Sequence, residues 1–81
     1  MEIELTPTAK KQLKKLPKSD VKKIARKLFI LETAPYTGKK LEGKLKDYYV
    51  IRAWPYRILY VIDRNTTIQI EIIEHRQGVY K

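Results

Sequence analysis

The spacing of the hydrophobic residues changes from a helical to an alternating pattern near Tyr48. Before that point, apolar residues recur as in Ala9, Leu13 and Leu16, which fall on one face of a helix. After it, apolar and polar residues alternate, which is typical of strands with one buried face. The short segment Glu2–Leu5 also alternates. The pattern therefore predicts an α+β fold, with a first strand, then two helices, then three further strands.

Proline and hydroxyl residues mark the ends of the two predicted helices. Thr6 is a suitable N-cap, and Pro7 after it fits the first helical position. Pro17 is expected to end this helix, because proline cannot continue it. Ser19 is expected to cap the second helix, which ends near Thr33. Two short amphipathic helices joined by a tight turn form a helical hairpin, which must cover an apolar surface.

Three strands are predicted in the second half of the chain, at Tyr48–Ala53, Tyr56–Ile62 and Thr66–Glu74. Trp54-Pro55 is expected to connect the first two in a tight hairpin. Asp63-Arg64-Asn65 suits a three-residue loop in which the last residue adopts the left-handed conformation that asparagine tolerates. Together with the N-terminal strand, this antiparallel meander completes a four-stranded sheet that carries both helices on one face.

The loop length also predicts which side chains share a face of the sheet. It pairs Tyr60 with Ile68 and Ile58 with Ile70, because a three-residue loop fixes the register. One face is then an apolar wall for the helices: Tyr49, Ile51, Ile58, Tyr60, Ile62, Ile68, Ile70 and Ile72. The opposite face carries Val50, Arg52, Arg57, Leu59, Gln69, Glu71, Ile73 and His75.

Composition limits the classes of function. With 81 residues we expect a single domain over residues 1–81. The net charge of +9 favours a polyanionic partner, either nucleic acid or an acidic protein, over a merely solvated basic surface. The chain has no cysteine, which excludes disulfides and thiolate sites. Neither a secretion signal nor an apolar run long enough to cross a membrane is present, so we expect a cytoplasmic protein with no membrane partner.

Two arginines are the main candidates for chemistry. Arg52 and Arg57 are expected to lie opposite each other on the face away from the helices, where like charges destabilise a sheet. Either the pair binds a phosphate, or both are solvated and Glu71 balances Arg57. His75 is the single histidine and is more simply explained as a polar strand end than as an acid. The sequence contains no cluster of histidine, aspartate and glutamate at the spacing typical of metal ligands, which argues against a metal site.

At these positions the sequence resembles the RelE/ParE toxin superfamily of toxin–antitoxin modules. The resemblance covers the element order and the segments Leu41-Glu42-Gly43, Tyr48-Tyr49-Val50-Ile51-Arg52, Tyr56-Arg57-Ile58-Leu59-Tyr60, His75-Arg76 and Val79-Tyr80. It implies a compact toxin that is neutralised by a cognate antitoxin protein. RelE-like members cut mRNA in the ribosomal A site without metal or cofactor, by attack of a 2′-hydroxyl that leaves a 2′,3′-cyclic phosphate.

The resemblance also implies which residues would act. The catalytic positions of the family match Arg52, Arg57, Arg76 and Tyr80, and a basic position of the same strand is Val50 here. The arginines would stabilise the charge of the reacting phosphate, and the tyrosine would stack on a base or polarise the 2′-hydroxyl. The loop before the sheet is expected to hold the RNA backbone through its lysines: Lys39, Lys40, Lys44 and Lys46.

Three other functions fit the same pattern. A ParE-like protein would inhibit a topoisomerase such as gyrase by protein contact and cut no RNA. A second alternative is a weak or inactive RNA-binding family member, because Val50 replaces a base. The third is a structural RNA-binding protein with no toxicity. We favour the ribosome-dependent endoribonuclease, because Arg52, Arg57, Arg76 and Tyr80 are all present.

Overall fold

The computed structural model describes residues 1–45 and 47–75, with only the backbone of Leu45. The α+β fold is confirmed. In chain order the elements are β1 (Glu2–Leu5), α1 (Pro7–Lys14), α2 (Lys18–Thr33), β2 (Lys39–Lys40), a short 3₁₀ turn (Gly43–Leu45), β3 (Tyr49–Ala53), β4 (Tyr56–Asp63) and β5 (Thr67–His75).

The helix boundaries follow the proline residues more closely than the hydroxyl residues. Thr6 caps α1 as predicted, and its Oγ1 accepts a hydrogen bond from the Ala9 N–H at 3.1 Å. The second helix begins at Lys18, directly after Pro17, and has no side-chain cap. The prediction that Ser19 caps α2 is therefore wrong, since Ser19 already lies inside the first turn. Pro17 supplies a fixed φ of −59°, which sets the entry into the helix without a hydroxyl.

The sheet has five strands in the order β1-β5-β4-β3-β2. The first strand, β1, pairs in parallel with β5, and the remaining pairs are antiparallel. The expected sheet had four strands, and the additional one is β2, two lysines that pair with β3 at the sheet edge. No alternation of apolar residues marks β2, because both of its side chains are exposed.

The hairpin between β4 and β5 differs in register from the prediction. Tyr60 lies opposite Ile70 and not Ile68, and Ile58 lies opposite Ile73 and not Ile70, so the two predicted pairings are wrong by two and by three residues. A shift of two keeps the β5 side chains up to Ile70 on their predicted faces, and the additional residue of shift at Ile58 comes from a bulge in β5. Asn65 has a φ of 58°, which confirms the left-handed position expected for it, and Arg64 has a φ of 52°.

A bulge in β5 then changes the faces of its last residues. Ile70 lies opposite Tyr60 and Ile72 lies opposite Leu59, so Glu71 is an extra residue. As a result Ile73 is buried at 3% exposure, and the prediction that Ile72 lies on the apolar wall with Ile73 outside is wrong.

Helix α1 holds this bulge in place. The Thr6 hydroxyl donates to the Glu71 carbonyl oxygen at 3.0 Å. Gln12 Oε1 accepts a hydrogen bond from the Ile73 N–H at 2.7 Å. Both backbone groups lie beyond the last residue of β5 that pairs with β1, so the side chains of the N-cap residue Thr6 and of Gln12 in α1 take the place of a strand partner.

Both helices pack on one face of the sheet, here called the helix face. Its buried residues form one core: Ala9, Ile24, Leu31, Ile51, Ala53, Tyr56, Ile58, Tyr60, Ile68, Ile70 and Ile73. The two buried tyrosines bond to the segments around them. Tyr56 donates to Asp20 Oδ2 at 2.7 Å, and Tyr60 donates to the Pro35 carbonyl oxygen at 2.8 Å while accepting from the Gly38 N–H at 3.0 Å.

Gly38 fits beside Tyr60 only because it lacks a side chain. A Cβ at this position would lie 2.9 Å from the Val50 carbonyl oxygen and 2.9 Å from Cε1 of Tyr60. The glycine therefore brings the chain close enough for β2 to pair with β3. Among the helices of the described residues, none is long and apolar enough to cross a bilayer.

Candidate functional site

Arg52 and Arg57 lie directly opposite each other on β3 and β4, as predicted. Their strand neighbours Ile51, Ala53 and Ile58 are buried on the helix face. Because side chains alternate along a strand, both arginines project from the opposite face, here called the open face. The strands are joined by a two-residue turn at Trp54-Pro55, and this even spacing places Arg52 and Arg57 opposite each other.

A carboxylate belongs to the same cross-strand row. Glu74, and not Glu71, lies opposite Arg57 on β5, because the bulge moves the acidic residues along the strand. The row thus reads Arg52, Arg57, Glu74. An opposed acid stabilises Arg57 and offsets part of the repulsion between the arginines. Arg57 is half-buried in this position, whereas Arg52 is exposed.

The predicted RNA-binding lysines separate onto two faces. Lys39 pairs with Val50 and therefore shares the open face with Arg52, whereas Lys40 pairs with Tyr49 and shares the helix face. Lys44 lies exposed in the 3₁₀ turn. The remaining predicted residues, Lys46, Arg76 and Tyr80, lie outside the described part of the chain, so their placement stays a prediction.

An apolar row borders the arginine row on the open face. Val50, Leu59 and Ile72 are aligned across β3, β4 and β5, and each is half-buried. Lys39 continues this row at the edge of the sheet. The open face is therefore not uniformly basic: in the described part of the chain, its cations on β2, β3 and β4 are the arginine pair at the end of the β3–β4 hairpin and Lys39 at the sheet edge.

His75 does not lie where the sequence predicted. It is opposite Tyr56 and packs edge-on against that ring, with 5.3 Å between ring centroids. Opposed residues share a face, so His75 belongs to the helix face and its predicted place beside the arginines is wrong. The cause is again the bulge at Glu71, which reverses the faces of all later residues in β5.

Tyr56 has its ring beside His75, but its hydroxyl is held as a donor. The hydrogen bond to Asp20, followed by burial and the charge of that carboxylate, raises the pKa of Tyr56. The neutral phenol is thereby favoured, which fits a structural link between α2 and β4. Within residues 1–45 and 47–75, no group of three or more acidic or histidine side chains comes together as a metal site would require.

The geometry suits the recognition of a phosphate. Two forked guanidiniums at one end of a sheet present several N–H donors to a tetrahedral anion. The bulge in β5 brings Glu74 into the arginine row, and the pairing of β2 with β3 brings Lys39 into the adjacent row on the same face; the sequence predicts neither placement. Neither strand β2 nor the bulge in β5 is marked by an alternation of apolar and polar residues, so the sequence pattern does not indicate them.

Comparison with known proteins identifies the family. A family model described as the ParE toxin of the type II toxin–antitoxin system parDE matches residues 3–80. The chain belongs to the RelE/ParE toxin superfamily. One relative in the superfamily is Toxin RelG of Mycobacterium tuberculosis. It is 33% identical in sequence to this chain over 82 residues, which cover 98% of this chain and 94% of that toxin.

Solved structures of RelE/ParE proteins share the fold. The toxin–antitoxin complex RelBE2 from Mycobacterium tuberculosis contains a chain with a TM-score of 0.84 and 33% identity, covering 93% of this chain and 96% of that one. A chain of the RelE–RelB complex from Pyrococcus horikoshii OT3 has a TM-score of 0.76 at 26% identity and covers 93% of each chain. The similarity thus extends over almost the whole toxin domain.

Proposed function

We propose that this RelE-like toxin is a metal-independent endoribonuclease that cleaves mRNA in the ribosomal A site and is neutralised by a cognate antitoxin. The observation that carries the proposal is the arginine pair. Arg52 and Arg57 are opposed on the one sheet face that the helices leave open. A sheet gains nothing from two opposed like charges, so the arrangement favours an anionic ligand.

In the proposed reaction, the 2′-hydroxyl attacks the adjacent phosphorus, and the bond to the 5′-oxygen breaks. The attacking 2′-hydroxyl gives up its proton as the new bond forms, and the departing 5′-oxygen takes one up, so the products are a 2′,3′-cyclic phosphate and a 5′-hydroxyl with no net change in protons. The transition state carries extra negative charge on the phosphate, and guanidiniums fixed on two paired strands need little reorganisation to stabilise it. Of this pair, Arg57 is half-buried and lies opposite Glu74, so it would lose less side-chain freedom on binding than the exposed Arg52.

Lys39 has a place in this proposal because it lies beside Val50. The family has a basic residue at the position of Val50, and the pairing of β2 with β3 puts the Lys39 side chain next to it on the open face. A lysine from the neighbouring strand therefore restores a cation within reach of the same anion. Arg76 and Tyr80 complete the proposed site, as a further phosphate ligand and as a residue that stacks on a base or polarises the 2′-hydroxyl.

The ribosome and the antitoxin are the proposed partners. Arginine is a poor general base because it stays charged, so positioning of the mRNA by the ribosome would supply much of the rate. An antitoxin is supported by relatives that were solved as toxin–antitoxin complexes, among them RelBE2 and the archaeal RelE–RelB complex. The net charge of +9 favours an acidic segment of that antitoxin on the open face.

The test is translation-dependent cleavage of mRNA, mapped by primer extension after induction of the toxin. Arg57→Ala should lower the cleavage rate by about 10²–10³-fold, the typical loss for one electrostatic stabiliser, and should relieve growth arrest. Arg64→Ala is the matched control, because it removes the same charge from an exposed loop at the other end of β4. Circular dichroism should show that both variants are folded.

Two adjacent lysines give a second, internal control. Lys39→Ala should reduce cleavage more than Lys40→Ala, because the two exposed side chains lie on opposite faces of β2. Equal cleavage by wild type and a folded Arg57→Ala variant would contradict the nuclease proposal.

The second candidate is inhibition of a topoisomerase, which is favoured by the description of the matching family model as a ParE toxin. Under that function, messages stay intact on induction and cleavage complexes of gyrase accumulate. Because Glu74 reduces the net charge of the arginine row, a surface for protein contact is physically reasonable as well. Primer extension and trapping of gyrase complexes in the same culture separate the two.

A further inference from the structure

A cleft of about 230 Å³ lies between α2 and the turn that joins β3 to β4. It is lined by Lys23, Arg26 and Lys27 of the helix and by Ala53 and Trp54 of the turn. The helix residues are spaced i, i+3 and i+4, so they share one side of α2. As far as the structure describes the chain, the lining combines three cations with one large aromatic ring and has no carboxylate.

Trp54 is unusually placed for the single tryptophan of the chain. Its side chain is 63% exposed at the tip of a tight turn, where it adds little to the core. Three cations held on one side of a helix repel each other, although salt weakens that repulsion. A ligand with a planar ring and a negative charge satisfies both features, because the ring stacks on the indole and the charge is balanced by the cations.

We propose that this cleft is a nucleotide subsite for single-stranded RNA, in which a base stacks on Trp54 while Arg26 and Lys27 hold an adjacent phosphate. The inference rests on the proposed ribonuclease function and deepens it by naming where the strand lies beside the cleaved bond. Stacking on an aromatic side chain tolerates any base, and contacts of lysine and arginine with phosphates position the strand.

The cleft lies close to the arginine pair, because both are built on the same hairpin. Trp54 follows Arg52 by two residues, which is roughly 7 Å along an extended chain. Arg57 comes directly after the same turn, on the partner strand. The cleft opens on the α2 side of the hairpin, and the arginines project on the open face. A strand of RNA that crosses the tip of the hairpin therefore meets the cleft and the arginine pair with neighbouring nucleotides.

The test uses the full-length protein and a short single-stranded RNA with 2′-O-methyl groups, which cannot be cleaved because the nucleophile is blocked. Trp54 is the only tryptophan, so intrinsic fluorescence reports on this site directly. The base-bearing strand should quench the fluorescence on binding. A strand of the same length without bases keeps every phosphate, and it should bind more weakly and leave the fluorescence nearly unchanged.

Variants separate the stacking from the charge, with affinity measured by anisotropy of a labelled strand. Trp54→Ala should weaken binding of the base-bearing strand by roughly 5- to 150-fold, and Trp54→Phe should recover most of the loss. Arg26→Ala should weaken binding of both strands and lower the slope of log K against log salt by about 1. Lys22→Ala is the matched control on the same helix, because Lys22 is exposed but does not line the cleft.

The outcomes distinguish the subsite from the nuclease. Absence of quenching, or equal affinity for the two strands in wild type, would overturn the subsite and leave a general basic patch, even if mRNA cleavage is intact. Quenching by the base-bearing strand alone, together with loss of affinity in Trp54→Ala, would support the subsite. If that result came without any mRNA cleavage by wild type, the nuclease proposal would fail while the subsite stands.

Discussion

The hydroxyl of Tyr60 offers the sharpest test of how the sheet edge is held. Its side chain is fully buried, and the hydroxyl both donates to the Pro35 carbonyl oxygen and accepts from the Gly38 N–H. These two hydrogen bonds hold the segment before β2 against the sheet, and β2 places Lys39 on the open face. Tyr60→Phe removes the hydroxyl, keeps the ring, and leaves two backbone groups without a partner.

The size of the effect follows from those two groups. An unsatisfied buried donor or acceptor costs about 1–3 kcal/mol. Both bonds are only partly buried and the loop is free to relax, so we take about 1 kcal/mol for each, or about 2 kcal/mol in the free energy of unfolding. For a domain of this size, that corresponds to a decrease in Tm of roughly 8–16 °C.

Urea unfolding followed by circular dichroism measures the change, with a parallel thermal scan. The m-value should stay the same, because the surface exposed on unfolding does not change. Tyr36→Phe is the matched control: its hydroxyl donates to Asn65 Oδ1 at 3.0 Å but its side chain is 58% exposed. Its loss should cost less than about 0.5 kcal/mol. If both variants were equally stable, the proposed anchoring of β2 by Tyr60 would be wrong.

Two further predictions concern the bulge and the pH dependence. Gln12→Ala should lower the free energy of unfolding in urea by about 1–3 kcal/mol, since the Ile73 N–H loses its acceptor. Gln12→Glu keeps an acceptor and should be nearly as stable as wild type. Equal losses in the two variants would contradict the role of Gln12 as the acceptor that holds the bulge. Burial raises the pKa of Tyr60, and the hydrogen bond to Asp20 raises that of Tyr56. The fold therefore favours the neutral phenols, and their contribution to stability is complete below about pH 10 and lost as pH rises through the higher folded pKa values. Unfolding measured from about pH 8 to pH 12 should show this decline, with a smaller slope in Tyr60→Phe; an unchanged slope would refute the assignment to Tyr60.

The opposed arginines could be predicted from the sequence because their placement depends on few assumptions. A two-residue turn fixes the pairing of Arg52 with Arg57, and the apolar residues on either side fix the face. Any error of two residues elsewhere in the sheet leaves that result unchanged, because side-chain direction repeats every second residue. The shifted register between β4 and β5 shows this tolerance, since it left Tyr60 and Ile70 on the helix face.

The end of β5 could not be predicted in the same way. Ile72 and Ile73 are both apolar, so alternation does not indicate which of them is buried. The choice is made by hydrogen bonds from Thr6 and Gln12, residues far away in the sequence. The positions of Glu74 and His75 depend on that choice as well as on the register of the hairpin, so the sequence alone predicts Glu71 and not Glu74 opposite Arg57.

The parallel pairing of β1 with β5 has a consequence for synthesis of the chain. Among the described residues, the first strand in chain order, Glu2–Leu5, pairs only with the last, Thr67–His75. While a ribosome is still translating β5, the nascent polypeptide therefore cannot close its sheet, and Arg57 still lacks the acid opposite it. Closure of the sheet along β1 is therefore a late step in folding of a nascent chain, because it joins the two strands that lie farthest apart along the described residues.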